Sequence, residues 1–584
     1  MSFRRTTAIC IQLVLIATFI PAHPAANGGR NLIKTDEMRE WLTYLSSDEL
    51  EGRSTFSEGL GLAAAYIAAQ MKTWGVRPGG DGGSYFQRVR VLGVKSNNHS
   101  TITVSTRGQT RTFKNGDGVI FARNVGAKRV FSSDQIEFVG YGLNAPLVGH
   151  NDYAGKSEKG KIVVWLGPEG PREVDREYRS ALSSRSRYAI EQEGALASIG
   201  PVLGNRRTET RPANGRPATD TGSPDPAEPS SNSRPGGSGG PPIERPDFTT
   251  AQRLDAPIPP AVSAQEDFFK FLFQNQDVSY GDLKEKVSRR EPLSGFSFKN
   301  TTITVNLDVD YKIVRTQFTR NVVGIVEGTD PRLKDTYVAF GAHYDHVGYS
   351  EGELVETSGG QRRAEPRGRV NEDARDDRIW NGADDDGSGT VTILAAAKAF
   401  ALGPRPRRSL LFVWHSGEER GLWGSRFFAD HPTVPIERIV AHINMDMVGR
   451  NRDDKGDEAN TIYLVGSDRI STELHNITVS ANESLDRPLK LDFELNNPTD
   501  LEQVYYRSDH YSYAAKGIPI VFMTTGLHSD YHTNTDSAEK INYEKMARIG
   551  QFGYEIGARV ANLDHPPQRD NQGARAVKGS GGKL

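Results

Sequence analysis

Four short stretches of this chain gather carboxylates, three of them together with imidazoles, within a few positions of one another. They are His343-Tyr344-Asp345-His346, Gly382-Ala383-Asp384-Asp385-Asp386-Gly387-Ser388-Gly389, His415-Ser416-Gly417-Glu418-Glu419-Arg420-Gly421 and His528-Ser529-Asp530-Tyr531-His532. A fifth, Asn444-Met445-Asp446, ends an apolar run on a carboxylate. The single cysteine, Cys10, is far from all of them, so thiol chemistry is excluded. A donor set of nitrogen and oxygen without thiolate suits Zn2+, and also Mn2+ or Co2+. The carboxylates outnumber the needs of one tetrahedral ion. That surplus favours two ions about 3.5–4 Å apart that share a bridging carboxylate, an arrangement suited to activating water.

Such groups act together only if the fold converges them. Apolar strand-like runs cover 302–307, 321–326, 337–342, 410–414, 439–445, 462–465 and 518–523. Helix-like runs cover 388–401, 424–429, 470–482 and 543–563, with two more near the start at 35–47 and 58–74. Apolar strands alternating with helices predict an α/β fold, a mostly parallel sheet covered by helices. In such sheets, sites form at the carboxyl ends of the strands. The clusters at 343–346, 415–421, 446 and 528–532 all follow a strand-like run, and 382–389 precedes a helix.

These motifs, in this order, resemble the co-catalytic di-zinc aminopeptidases of the bacterial leucyl aminopeptidase type, with glutamate carboxypeptidase and transferrin receptor ectodomains as distant relatives. The run Leu45-x-x-Asp48-Glu49-Leu50-Glu51-Gly52-Arg53 is similar to that family's N-terminal segment. The resemblance implies two Zn2+ per chain, one held by His343 and Asp446 and the other by Glu419 and His532, with Asp385 as the bridge. It implies Glu418 as the general base that takes a proton from the water between the ions. Tyr531 would steady the oxyanion of the tetrahedral intermediate, and Asp345 would orient His343 from behind. His346, His415, His510 and His528 take no metal role in this reading. Asp384 and Asp386 read as loop or helix-N-terminal carboxylates favoured by the helix dipole.

Residues 125–295 resemble a protease-associated (PA) domain, through Gly140-Tyr141-Gly142, Asp152-Tyr153-Ala154-Gly155, Gly160-Lys161-Ile162-Val163-Val164 and Gly194-Ala195. The resemblance makes it an insertion that divides the zinc peptidase domain into 34–124 and 296–565. A helix is expected near 184–193. Residues 205–246, rich in Pro, Gly and Ser, lack the apolar content to offset ordering entropy and read as a disordered insertion. The polar, Gly-rich tail at 566–584 reads the same way.

Arg4 and Arg5, the apolar run 8–20 and the small-residue exit ending at Ala26 read as a signal peptide over 1–26. The run is shorter than the roughly 20 residues of a membrane span. The expected location is secreted or periplasmic, with no stable membrane association once the leader is removed. Seventy-two Lys and Arg against 74 Asp and Glu leave a formal charge of −2, which gives no electrostatic case for nucleic acid. A mean hydropathy of −0.55 excludes a multi-span membrane protein. The expected function is a secreted zinc exopeptidase acting on peptide or protein N-termini. The alternatives are a carboxypeptidase of the same fold, a glutaminyl-cyclase-type acyltransferase and an inactive binding ectodomain.

Overall fold

The apolar runs at 337–342, 410–414 and 439–445 form the strands Tyr337–His343, Ser409–His415 and Ile439–Met445, each buried along its whole length. A strand buried on both faces must lie inside a covered sheet. With Ile520–Thr524 they form four adjacent parallel strands, in the order 409–415, 337–343, 439–445, 520–524, at the centre of a ten-stranded sheet. Side-chain parity assigns the faces. Val338, Phe340 and Ala342 share a core with Leu42, Ile67, Leu394 and Phe552 from the helices Thr35–Leu45, Glu58–Thr73, Gly389–Leu402 and Tyr543–Asn562. On the other face Ala339, Leu411 and Val413 pack with Phe428 and Tyr513, from the helices Trp423–Asp430 and His510–Ala514.

The computed structural model describes residues 27–174, 178–202, 244–274, 276–356, 362–364, 368–498 and 500–571. The expected signal peptide, residues 205–243 of the expected insertion and residues 572–584 of the tail lie outside them. Residues 566–571 of the tail are docked: the Gln568 and Asn571 amides donate to Glu473 and to the Ile470 carbonyl, and Asp570 accepts from the Thr472 amide.

Antiparallel strands extend the parallel centre on both sides. Thr461–Val465 pairs with Ile520–Thr524, and the long strand Val309–Val326 pairs with both Ser409–His415 and Phe86–Asn98. Only 321–326 of that long strand was expected. Its first half is largely exposed and reads as polar, so it lacks the apolar signal of a covered strand.

A second ten-stranded sheet has its own core, built on Phe138, Ile162, Ile199, Val262, Phe268 and Ile303. Its limits are wider than the expected 125–295. Thr101–Thr106, Gln109–Asn115 and Gly118–Phe121 belong to it, and Thr301–Leu307 pairs directly with Thr101–Thr106. Conversely, Phe248–Thr250, inside the expected range, pairs with Phe86–Asn98 at the edge of the first sheet. The helix expected near 184–193 is present as Arg185–Arg187 and continues as a wider helical segment over Tyr188–Gln192.

Candidate metal centre

Parallel register brings the strand ends level. His343 faces His415 across one ladder, and Gly341 faces Asn444 across the next. The chain leaving each strand therefore opens on one rim, which carries His343, Glu418-Glu419 and Asp446. Asp385 reaches it from the turn Ala383–Ser388 that leads into the Gly389–Leu402 helix. The loop beyond Ile520–Thr524 contributes Tyr531 and His532. His343, Asp385, Glu418, Asp446, Tyr531 and His532 line one pocket, and Glu419 lies behind it.

Asp385 sits between two donor groups. Its Oδ1 is 3.2 Å from His343 Nε2, which in turn lies 3.7 Å from Asp446 Oδ1. Its Oδ2 is 3.1 Å from His532 Nε2, which lies 3.1 Å from Glu419 Oε1. One carboxylate thus offers an oxygen to each of two clusters. Two such groups of potential ligands share Asp385: His343, Asp385 and Asp446 form one, and His346, Asp385 and Glu419 the other.

Electrostatics agree with a site that requires cations. Burial opposes charge on His343 and His532, yet the surrounding carboxylates more than offset this and hold both imidazoles well above their ordinary pKa. Divalent ions held there would offset the same carboxylates. Burial would also raise Asp385, but hydrogen bonds from His343 and His532 keep it well below the usual carboxylate range. Glu418 goes the other way. Burial, reinforced by Glu419, Asp446 and Asp509, pushes its carboxyl well above normal. It is thus poised to hold a proton, as a general base must once it has accepted one.

Neighbouring groups hold the ligands. The Asp386 carboxylate accepts the Gly389, Met447 and His343 amides, which ties the helix start to two strand ends. Asp384 accepts the Gly449 amide and faces His528 at 3.2 Å. Asp345 does not orient His343 through its carboxylate, which lies 3.8 Å from Nδ1. Its backbone carbonyl takes that contact at 3.0 Å, while the carboxylate accepts the Thr55 hydroxyl and the Glu418 amide. Asp345 therefore holds both Glu418 and His343 in place.

Two features escaped the sequence reading. Arg53, fully buried, donates to the backbone carbonyls of Leu45, Tyr344, Asn381 and Gly382, clamping the two loops that carry His346 and Asp385. The family-like segment ending at Arg53 was its only signal. His346 was passed over because nothing local distinguishes it from other histidines; it is 1% exposed and its Nδ1 lies 3.0 Å from Glu419 Oε1. The basic side chains near the pocket are engaged. Arg507 pairs with Glu502 at 2.8 Å, while the nearby Asp509 faces His415 at 3.3 Å. Arg450 pairs with Asp454 and with Asp530, the latter at 3.1 Å.

A probable leucine aminopeptidase of Arthroderma benhamiae is 30% identical over 188 residues, which are 30% of this chain and 48% of that protein. The chain spans about half the length of the curated relatives it matches. Among solved structures, an aminopeptidase from Aneurinibacillus sp. strain AM-1 aligns over 94% of this chain and 98% of its own, at 18% identity and a TM-score of 0.42. A zinc aminopeptidase from Bacillus subtilis aligns over 92% and 98%, at 17% identity and a TM-score of 0.41. The family model for peptidase family M28 matches residues 321–556, the segment that contains every ligand candidate named above. Residues 321–556 of this chain thus match the model of peptidase family M28.

Proposed function

We propose that this protein is a two-zinc exopeptidase that removes N-terminal residues from peptides. The observation that carries the reading is Asp385, one carboxylate whose two oxygens face separate donor groups, His343 with Asp446 and His532 with Glu419. Zinc ions held there would polarise the scissile carbonyl and make water acidic enough to attack near neutral pH. Glu418 takes the proton of the attacking water and returns it to the leaving amine. The Tyr531 hydroxyl donates to the oxygen that gains charge.

The pocket supports recognition of an amine. Glu418, Asp446, Asp453 and Glu502 line it, and the two arginines on its wall are both engaged, Arg507 by Glu502 and Arg452 by Glu494. A substrate carboxylate would meet negative potential, whereas an ammonium would be drawn in. Met447, Leu495, Val504, Phe522 and Leu527 give the remaining wall an apolar surface, which suits an apolar N-terminal side chain. The same reading takes the second sheet as an inserted PA module and the N-terminal apolar run as an export signal.

A matched peptide pair tests the reading. N-acetylation should abolish cleavage and C-terminal amidation should not. The opposite pattern would make the enzyme a carboxypeptidase, with Arg507 released from Glu502 to meet the substrate. Cyclisation of N-terminal glutamine without peptide hydrolysis would make it an acyltransferase.

A further inference from the structure

We propose that His346 is a direct ligand of the second ion, so that this ion is held by three side chains in addition to the shared Asp385. The inference rests on the two-metal reading of the site and extends its ligand set by one residue.

His346 Nδ1 lies 3.0 Å from Glu419 Oε1 and 3.8 Å from Asp385 Oδ2. His532 Nε2 lies 3.1 Å from each of the same two oxygens. Four donors around a tetrahedral zinc with bonds of about 2.0–2.1 Å stand about 3.3–3.4 Å apart. The four separations, from 3.0 to 3.8 Å, bracket that value.

A buried imidazole normally has a hydrogen-bond partner. His346 is buried, and among the described residues neither ring nitrogen makes a well-aligned hydrogen bond; Nδ1 instead faces the Glu419 carboxylate at 3.0 Å. A bound cation would satisfy Nδ1. The surroundings are also shaped to this ring. Gly382, at φ +58°, lies against it, and a Cβ there would come within 2.5 Å of the imidazole carbons. Arg53 fixes both sides of the contact: its guanidinium donates to the Tyr344 and Gly382 carbonyls, and its own carbonyl accepts the His346 amide.

The consequence is asymmetry. The first ion has His343, Asp446 and Asp385; the second has Glu419, His346, His532 and Asp385. The second position would then have the fuller set of protein donors, as in sites that retain their metal, and the first would keep a place for water, as catalytic sites do.

The test uses the full-length protein stripped of metal and titrated with Zn2+ against a chromophoric chelator. The wild type should take up two ions of unequal affinity. His346→Ala should weaken one of them by more than about 100-fold, beyond the 10–100-fold typical of a lost outer partner. Loss within or below that smaller range would overturn direct ligation. A second measurement needs no variant: hyperfine-shifted ring resonances in the NMR spectrum of the dicobalt wild type should come from three coordinated imidazoles. Two imidazoles would overturn the proposal while leaving the two-metal reading intact, and no uptake of divalent ions would overturn both.

Discussion

At the scale of single residues, adjacent Glu418 and Glu419 have been given opposite tasks by their surroundings. Glu419 faces two imidazoles, whose attraction outweighs burial and holds it far below the usual carboxylate range. Glu418 lies among other carboxylates and is driven up. The variant Glu418→Gln should therefore keep both ions and lose turnover by about 10²–10⁴-fold, the contribution of a general base. Metal content and kcat measured on the same preparation check this; loss of metal from Glu418→Gln but not from Glu419→Gln would reverse the two roles. His510 makes a separate prediction about acid stability. Burial against Phe522 pushes its pKa down to about 3, while its Nε2 contacts the Tyr505 carbonyl at 2.8 Å. The unfolded chain thus binds a proton that the folded one refuses. The stability is fully present above pH 6.5 and is lost as pH falls toward 3, at about 1.4 kcal/mol per pH unit. Replacing His510 with Leu should remove that slope from the variant, so that the wild-type-minus-variant difference in unfolding free energy falls as the pH is lowered from 6.5 toward 3.

At the scale of elements, the long connection between His343 and Asp385 has a mechanical role. It lays Arg369 against the loop that carries Tyr531 and His532. The Arg369 amide donates to the His532 carbonyl at 2.8 Å, and its guanidinium donates to the carbonyls of Ser529 and Tyr531. Trp380, fully buried, donates to the Arg369 carbonyl from the other end of the same connection. Arg369→Ala removes the guanidinium contacts and keeps those of the backbone. Charged hydrogen bonds of about 1.5–3 kcal/mol translate into a fall in kcat/KM of about 10–100-fold. An unchanged melting temperature alongside that fall would show that the loss is confined to the loop; unchanged kinetics would show that the loop holds its position without the clamp.

At the scale of the whole molecule, the second sheet reaches the pocket. Arg187 lies over the Tyr506 ring at 4.4 Å and donates to Gln503, and Tyr511 donates to Glu191. These contacts bear on 502–507, the stretch that gives the pocket Glu502, Val504 and Arg507. The second unit thus supports a wall of the pocket without supplying a ligand. Arg187→Ala should raise KM by about 3–10-fold with little change in kcat, the pattern of a lost binding contribution worth about 0.5–1.5 kcal/mol. Steady-state kinetics on an apolar amino-acyl anilide would decide it, and a fall in kcat at constant KM would place the effect on the chemistry instead.

Much of this site was legible in the sequence because parallel strands announce themselves. Strands covered on both faces read as unbroken apolar runs, as 337–343 and 439–445 do, and their carboxyl ends share one rim. That logic marked the segments 343–346, 415–421 and 446 just beyond such strands, and the family resemblance singled out His343, Glu418, Glu419 and Asp446 within them. Periodicity could not show which nearby side chains turn inward from loops. His346 and Arg53 lie in irregular backbone, and their meeting with Glu419 and Gly382 is a contact across distant parts of the chain. The exposed half of the 309–326 strand was likewise hidden, because its order comes from pairing with 86–98 rather than from an apolar pattern of its own. The sequence by itself thus determined the parallel centre and the types of donor on its rim. Only the tertiary structure decided which donors converge on which side of Asp385, because loop geometry is set by long-range hydrogen bonds and packing that no local pattern encodes.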